Sequence, residues 1–214
     1  MDYNIESNIK NPWLEISHSD YENHMTEVGQ AQVLNDLTKN CLEKYKPGTF
    51  TLLGCSTGNG LEHVKAGVTR NVYAIDINAG YLQILWKKFE NKIGNLITFN
   101  IDIRKDELKI NNTDLLFAGL ILEYVEPKSA LLKIIRTLNK NGVLVIVIQK
   151  NKQTSFVSKT KYKSLKKLYE ISNEVIESEI DEFLKLNNLE RINRNEIKLT
   201  ENKSLISLEY RMIR

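Results

Sequence analysis

From Phe50 onward short β-branched runs alternate with longer stretches of helical periodicity. That alternation constrains the chain to an α/β fold, a parallel sheet with helices on both faces. Thr49-Phe50-Thr51-Leu52-Leu53 reads as the first strand, and residues 71–77, 97–102 and 114–119 read as the next three. Residues 142–148 read as a fifth. That segment is apolar without alternation, so it belongs in the middle of the sheet, where both of its faces are covered. Beyond Gln149 a Lys-rich connector leads to a helical stretch over about residues 164–186. Two alternating segments follow, residues 189–199 and 205–212, and Glu201-Asn202-Lys203 between them is short enough for a hairpin turn. The predicted architecture is therefore doubly wound and mostly parallel, with an antiparallel end. A helix is expected over about residues 27–45, closed by Lys46-Pro47-Gly48.

Composition narrows the function classes. The chain has 214 residues, the length of one domain, and 42% hydrophobic residues, which excludes a disordered polymer. A formal charge of +3 is too small to argue by itself for nucleic acid or an anionic membrane. The longest weighty apolar run, residues 143–148, is far shorter than the ~20 residues a spanning helix needs. The first six residues show no basic start followed by an apolar segment, so the cytosol is the expected compartment. Two cysteines, Cys41 and Cys55, and three histidines, His18, His24 and His63, offer neither a disulfide framework nor a four-ligand zinc site, and no metal is expected.

The chemistry points to the turn after the first strand. Gly54-Cys55-Ser56-Thr57-Gly58-Asn59-Gly60 is a small-residue loop, and Leu61-Glu62-His63-Val64 should open a helix behind it. Missing Cβ atoms let a ligand lie against backbone, and a helix N-terminus offers unpaired N–H donors. Asp76 follows Gly58 by 18 positions and closes the second strand, which puts a carboxylate beside the loop at the ligand-binding edge of such a sheet. A carboxylate there can accept both hydroxyls of a ribose. The glycine spacing, G-x-x-x-G-x-G, fits neither the dinucleotide pattern G-x-G-x-x-G nor a P-loop, because Leu61 follows Gly60 where a lysine is required.

Four segments in order, Leu53-Gly54-Cys55-Ser56-Thr57-Gly58-Asn59-Gly60, Ala74-Ile75-Asp76-Ile77-Asn78, Asn100-Ile101-Asp102-Ile103 and Leu120-Ile121-Leu122-Glu123-Tyr124-Val125, resemble the successive motifs of class I S-adenosylmethionine-dependent methyltransferases. The resemblance spans about residues 49–149. It implies a Rossmann-like, seven-stranded sheet with an antiparallel last strand, S-adenosylmethionine as cofactor and S-adenosylhomocysteine as product. It further implies that Gly54, Cys55, Ser56, Gly58, Asn59 and Gly60 pass under the methionine part of the cofactor. Asp76, with Ile77 beside it, would hold the ribose hydroxyls. Asp102 would accept from the adenine amino group, and the backbone of Ile103 would meet the ring. Ala118, Gly119 and Leu120 would face the sulfonium. Two positions depart from the family: Leu52 stands where it has an acid, and Ser56 where it has a glycine. Asn59 or a residue of the N-terminal segment is the candidate to compensate for the lost acid.

A sulfonium is already an activated methyl donor, so placement of the acceptor supplies most of the rate, and a base is required only where a proton must leave. Glu123 and Tyr124, just past the fourth strand, and His24, whose ordinary pKa lies near working pH, are the candidate bases. The segment ahead of the core clusters aromatic residues. Trp13, Tyr21 and Met25 are the candidate acceptor-binding residues, within a helical lid of residues 1–47 over a core of residues 48–214. His18, His63 and Cys55 are read as surface or packing residues. A small-molecule acceptor is expected, since no recognition domain is appended to the core. Two alternatives stand beside it: an RNA methyltransferase using the lysines of residues 150–167 as a basic rim, and a module that binds S-adenosylmethionine without transferring its methyl group.

Overall fold

The computed structural model describes residues 11–152 and 155–213. Seven strands, β1 (Thr49–Leu53), β2 (Asn71–Asp76), β3 (Leu96–Asn100), β4 (Thr113–Gly119), β5 (Leu138–Asn151), β6 (Leu189–Thr200) and β7 (Lys203–Met212), form one sheet in the order β3-β2-β1-β4-β5-β7-β6. The first five pair with one another in parallel, and β7 runs antiparallel to both β5 and β6. The doubly wound, seven-stranded architecture expected from the sequence is the one observed. Val145, Ile146 and Val147 of β5 are fully buried, as an apolar strand without alternation requires. β6 lies at the edge, largely exposed, and its charged residues Arg191, Arg194, Glu196 and Lys198 discourage further strand pairing.

Five α-helices accompany the sheet: α1 (His18–Glu27), α2 (Gln30–Tyr45), α3 (Ala79–Phe89), α4 (Pro127–Ile135) and α5 (Glu177–Leu186). Side-chain oxygens begin three of them. Ser17 accepts from Asp20 N, Asn78 from Gly80 N and Tyr81 N, and Glu126 from Lys128 N and Ser129 N ahead of Pro127. On one face Leu131, Ile134, Ile180 and Leu184 of α4 and α5 pack against Leu116, Leu144 and Ile146. On the other, Leu37 and Cys41 of α2 and Leu85 and Phe89 of α3 pack against Phe50, Val72 and Val145. A third, smaller cluster joins Ile16 to Val157, Leu165 and Leu168, far away in the chain.

Three local expectations are corrected. The helix expected to open at Leu61 is a single 3-10 turn, Leu61–His63. Behind it, Gly67 and the β-branched Val64, Val68 and Thr69 disfavour a helix. Moreover α2 packs directly on the turn, where a Cβ at Gly60 would lie 2.7 Å from Thr38 Cβ. The helix expected over residues 27–45 is interrupted: α1 ends at Glu27, Gly29 takes φ +76°, and α2 starts at Gln30. The stretch over residues 164–186 divides into a 3-10 helix, Lys163–Glu170, and α5.

Candidate functional site

The order of the sheet reverses between β1 and β4, which opens a crevice at the carboxyl ends of those strands. Leu53 pairs with Ala118, so Gly54 and Gly119 leave the sheet side by side. The loop is fastened to β2 by backbone: Gly54 N and Cys55 N both donate to Ile75 O, at 2.8 and 3.0 Å. Gly54 takes φ +67°, and a Cβ there would lie 2.0 Å from Ile121 Cδ1, so the position admits no side chain.

Ser56 also takes a left-handed conformation, φ 46°, which costs a residue with a Cβ roughly 1–2 kcal/mol. Its N–H donates to Asp76 Oδ2 at 2.8 Å, an interaction that offsets the strain. Asp76 Oδ1 accepts from Asn78 N at 2.8 Å. Burial pushes the Asp76 pKa up to about 6, against the pull of the N–H groups of Asn78, Ser56 and Ile77. A carboxylate offers about four acceptor directions, so Asp76 retains capacity for a ligand.

Three adjoining chambers make up the crevice, the first two against the loop. The first, about 700 Å³, is lined by Gly54, Ser56, Asp76, Ile77, Asp102, Ile103, Gly119 and Leu120 among others. The second, about 1050 Å³, shares Gly54, Ser56 and Gly119 with it and adds Cys55, Asn59, Glu22 and Lys88. The third, about 460 Å³, meets the first along Trp13, Tyr21, Leu120 and Tyr124 and adds His24, Met25 and Phe156. The structure thus gathers most of the expected residues into one crevice. Gly58, Gly60, Ala118 and Glu123 lie off these walls. Gly58 backs onto Phe89 and Gly60 onto Thr38, where they let the loop pack against helices, and Ala118 is fully buried within the sheet.

Glu123 points inward, fully buried, with Oε1 accepting from Gln149 N at 2.8 Å and Oε2 without a partner. Burial raises its pKa to about 7. Tyr124, its neighbour on the Leu122–Tyr124 turn, faces the first and third chambers, and burial holds its phenol protonated. Cys55 is buried and its thiol is held far above its ordinary pKa, which removes it as a nucleophile. His63 bonds Asn35 of α2 through Nε2 at 2.8 Å, a packing role, and His18 is exposed at the start of α1.

Residues the sequence did not single out complete the crevice. Glu22 accepts a hydrogen bond from the Thr57 hydroxyl. Arg104 holds Asp102 from two sides, Nε to Oδ1 at 2.9 Å and Nη2 to Oδ2 at 2.6 Å. Only the short spacing between Asp102 and Arg104 is a signal available from the sequence.

Residues 52–146 match the family model described as methyltransferase domain. These residues carry a methyltransferase domain. Solved structures share the fold of this methyltransferase. The N-methyltransferase NodS from Bradyrhizobium japonicum WM9, in complex with S-adenosyl-L-homocysteine, superposes with a TM-score of 0.67 at 14% identity, covering 91% of this chain and 99% of that one. A putative S-adenosylmethionine-dependent methyltransferase from Listeria monocytogenes gives 0.59 at 13% identity, over 82% and 97%. One from Mesorhizobium loti gives 0.59 at 14%, over 76% and 90%. A comparison with curated proteins gives no match. The methyltransferase uses S-adenosylmethionine, and its crevice fits that molecule: the bare backbone at Gly54 and the buried carboxylate of Asp76 face the same chamber. Among the described residues, no helix is long and apolar enough to cross a membrane.

Proposed function

We propose that this methyltransferase transfers the methyl group of S-adenosylmethionine to a small-molecule acceptor held in the third chamber. The observation that carries this reading is the chamber itself. It is a partly open recess lined by the rings of Trp13, Tyr21, Tyr124 and Phe156, and it joins the first chamber at Trp13, Tyr21, Leu120 and Tyr124. Residues 11–27 and 155–171 supply most of its cover, so the lid consists of these two segments. α2, which the expected lid included, belongs to the core cluster.

Asp76 would hold the ribose of the donor, and Ile103 and Asp102 the adenine, with Arg104 sharing the Asp102 carboxylate. Glu22 and Lys88 are the charged residues on the wall of the second chamber. Together they match the ammonium and carboxylate of a methionine end, and Glu22 provides the acid that Leu52 does not. The bound donor supplies an electrophilic methyl group. The chain's own residues position the acceptor and exclude water, through the packed rings of Trp13, Tyr21, Tyr124 and Phe156. Of the three candidate bases, Glu123 faces the core and Tyr124 keeps its proton, which leaves His24 on the chamber wall.

The lysines of residues 150–167 point elsewhere. Lys150, Lys152, Lys159, Lys161, Lys163, Lys166 and Lys167 are exposed, and none lines the three chambers, while Lys167 pairs with Glu15 at 2.6 Å. A labelled-methyl assay on a fractionated cell extract tests the reading. Label is expected in the small-molecule fraction, and label confined to RNA would overturn it.

A further inference from the structure

Among the described residues, the wall of the third chamber contains no Asp, Glu, Lys or Arg. Its rings meet edge to face, with centres 5.7 Å apart for Trp13 and Tyr21, 5.0 Å for Trp13 and Tyr124 and 6.0 Å for Tyr124 and Phe156. Leu165 and Leu168, each 2% exposed, add two apolar side chains. A cation entering this space would lose its water and meet no opposite charge on the wall, and the cation beside it, Lys203 Nζ, is already held by Phe156 O and Ser158 Oγ at 2.8 and 2.9 Å, whereas a neutral flat molecule would keep its contacts.

Several polar atoms on the wall are committed, while Trp13 Nε1 and the hydroxyls of Tyr21 and Tyr124 make no side-chain hydrogen bond among the described residues. Gln30 Nε2 donates to Gln149 Oε1, and Gln149 Nε2 donates to Asn151 Oδ1 and Phe156 O, both at 2.8 Å. Ser158 Oγ accepts from Lys203 Nζ at 2.9 Å. His24 is bonded on one side of its ring: its Nδ1 meets Thr160 Oγ1 at 2.9 Å, and its Nε2 makes no hydrogen bond among the described residues. The tautomer in which Nδ1 donates to Thr160 leaves a lone pair on Nε2, and that is the tautomer a base at this position requires. Burial draws the His24 pKa below its ordinary value. Lys203 on β7 adds to that effect, and Glu27 on the same helix opposes it.

We infer that the acceptor is an uncharged, flat, apolar hydroxyl compound of the phenol class, and that His24 takes its proton during transfer. This rests on the third chamber being the acceptor site. The phenol class follows from proton affinity: a phenol loses its proton near pH ~10, within reach of a neutral imidazole, while an aliphatic alcohol holds its proton far more tightly. In the step, the acceptor oxygen bonds the methyl carbon and the S–CH3 bond breaks with its electron pair left on sulfur. The hydroxyl proton passes to His24 Nε2 and then to solvent. Thr160 is a positioning residue that fixes the ring through Nδ1.

The test uses 2-naphthol with 2-naphthoic acid and 2-naphthylmethylamine as matched anion and cation. Binding of each to the protein loaded with S-adenosylhomocysteine is measured by calorimetry, alongside methyl transfer from S-adenosylmethionine. 2-Naphthol is expected to bind at least tenfold more tightly than either analogue and to be methylated in preference to both. His24→Gln should lower kcat at least 100-fold, leave S-adenosylhomocysteine affinity within twofold, and abolish the acid-side fall in rate, which in the wild type is expected at a pH below that of an ordinary histidine. Thr160→Val should lower kcat by roughly five- to tenfold with KM little changed. Failure of S-adenosylhomocysteine to bind would overturn the donor site itself. Normal S-adenosylhomocysteine binding with no binding of 2-naphthol, with preference for the acid or amine, or with an unchanged His24→Gln profile would overturn this inference alone.

Discussion

The two ends of the crevice are built in different ways. At the donor end, backbone does the holding: Gly54 N and Cys55 N on Ile75 O, and Ser56 N and Asn78 N on Asp76, all on adjacent parallel strands. At the acceptor end, side chains from segments more than a hundred residues apart meet, with Ile16 and Trp13 against Val157, Phe156, Leu165 and Leu168. One end is rigid because the sheet makes it so. The other can change its guest by exchanging side chains without disturbing the sheet, which is how one fold serves many acceptors.

Gly54→Val offers the strongest challenge to the donor half of this contrast. A side chain there requires a strained left-handed backbone and collides with Ile121, so S-adenosylhomocysteine affinity should fall at least 100-fold, with a lowered melting temperature. Near-normal binding would show that the loop is softer than its hydrogen bonds suggest.

Glu123 ties the two ends together. Its Oε1 holds Gln149 N, whose side chain reaches the acceptor chamber, and its carbonyl accepts from Asn173 N at 2.7 Å, just past the lid segment. With its folded pKa raised to about 7, it binds more protons folded than unfolded from about pH 4.5 to 7. Stability is therefore lost as pH rises through that window, and the full cost is present above it. Glu123→Gln removes that cost. It should stabilise the protein by about 2 kcal/mol at pH 8 in denaturant unfolding, with the gain vanishing near pH 4.5. A loss of stability at pH 8 would assign the buried carboxylate a partner the account does not contain.

Two smaller effects sharpen the contrast. Arg104→Ala frees the Asp102 carboxylate from an exposed ion pair, so S-adenosylhomocysteine affinity should change by no more than roughly fivefold, about 1 kcal/mol. Replacing Lys159, Lys161, Lys163 and Lys166 together by Gln should change acceptor turnover less than twofold, and its salt dependence not at all. A steep salt dependence abolished by that variant would restore the RNA reading.

The contrast also accounts for what could be read in advance. The strands, the loop and Asp76 are legible because period-two runs, a glycine cluster and a strand-ending acid are local signals. The missing helix behind Gly60 is not, since α2 claims that space from the other side of the loop. Glu123 and Tyr124 are adjacent, yet a 3-10 turn sends one into the core and the other to the chamber, a divergence that spacing along the chain does not encode. Trp13, Tyr21, His24 and Met25 mark one side of the third chamber in advance, whereas its other side does not show: Leu165 and Leu168 sit within a lysine-rich stretch that looks like a solvated connector until Ile16 is packed against it.

The central claim is that the Asp76 carboxylate, fastened beside the Gly54 turn, holds the ribose of S-adenosylmethionine. Calorimetric titration of S-adenosylhomocysteine into the wild type and a folded Asp76→Ala variant tests it most directly. Micromolar binding, on the order of 7–8 kcal/mol, is expected for the wild type and at least a 30-fold loss for the variant. Equal affinity in the two proteins would contradict the account.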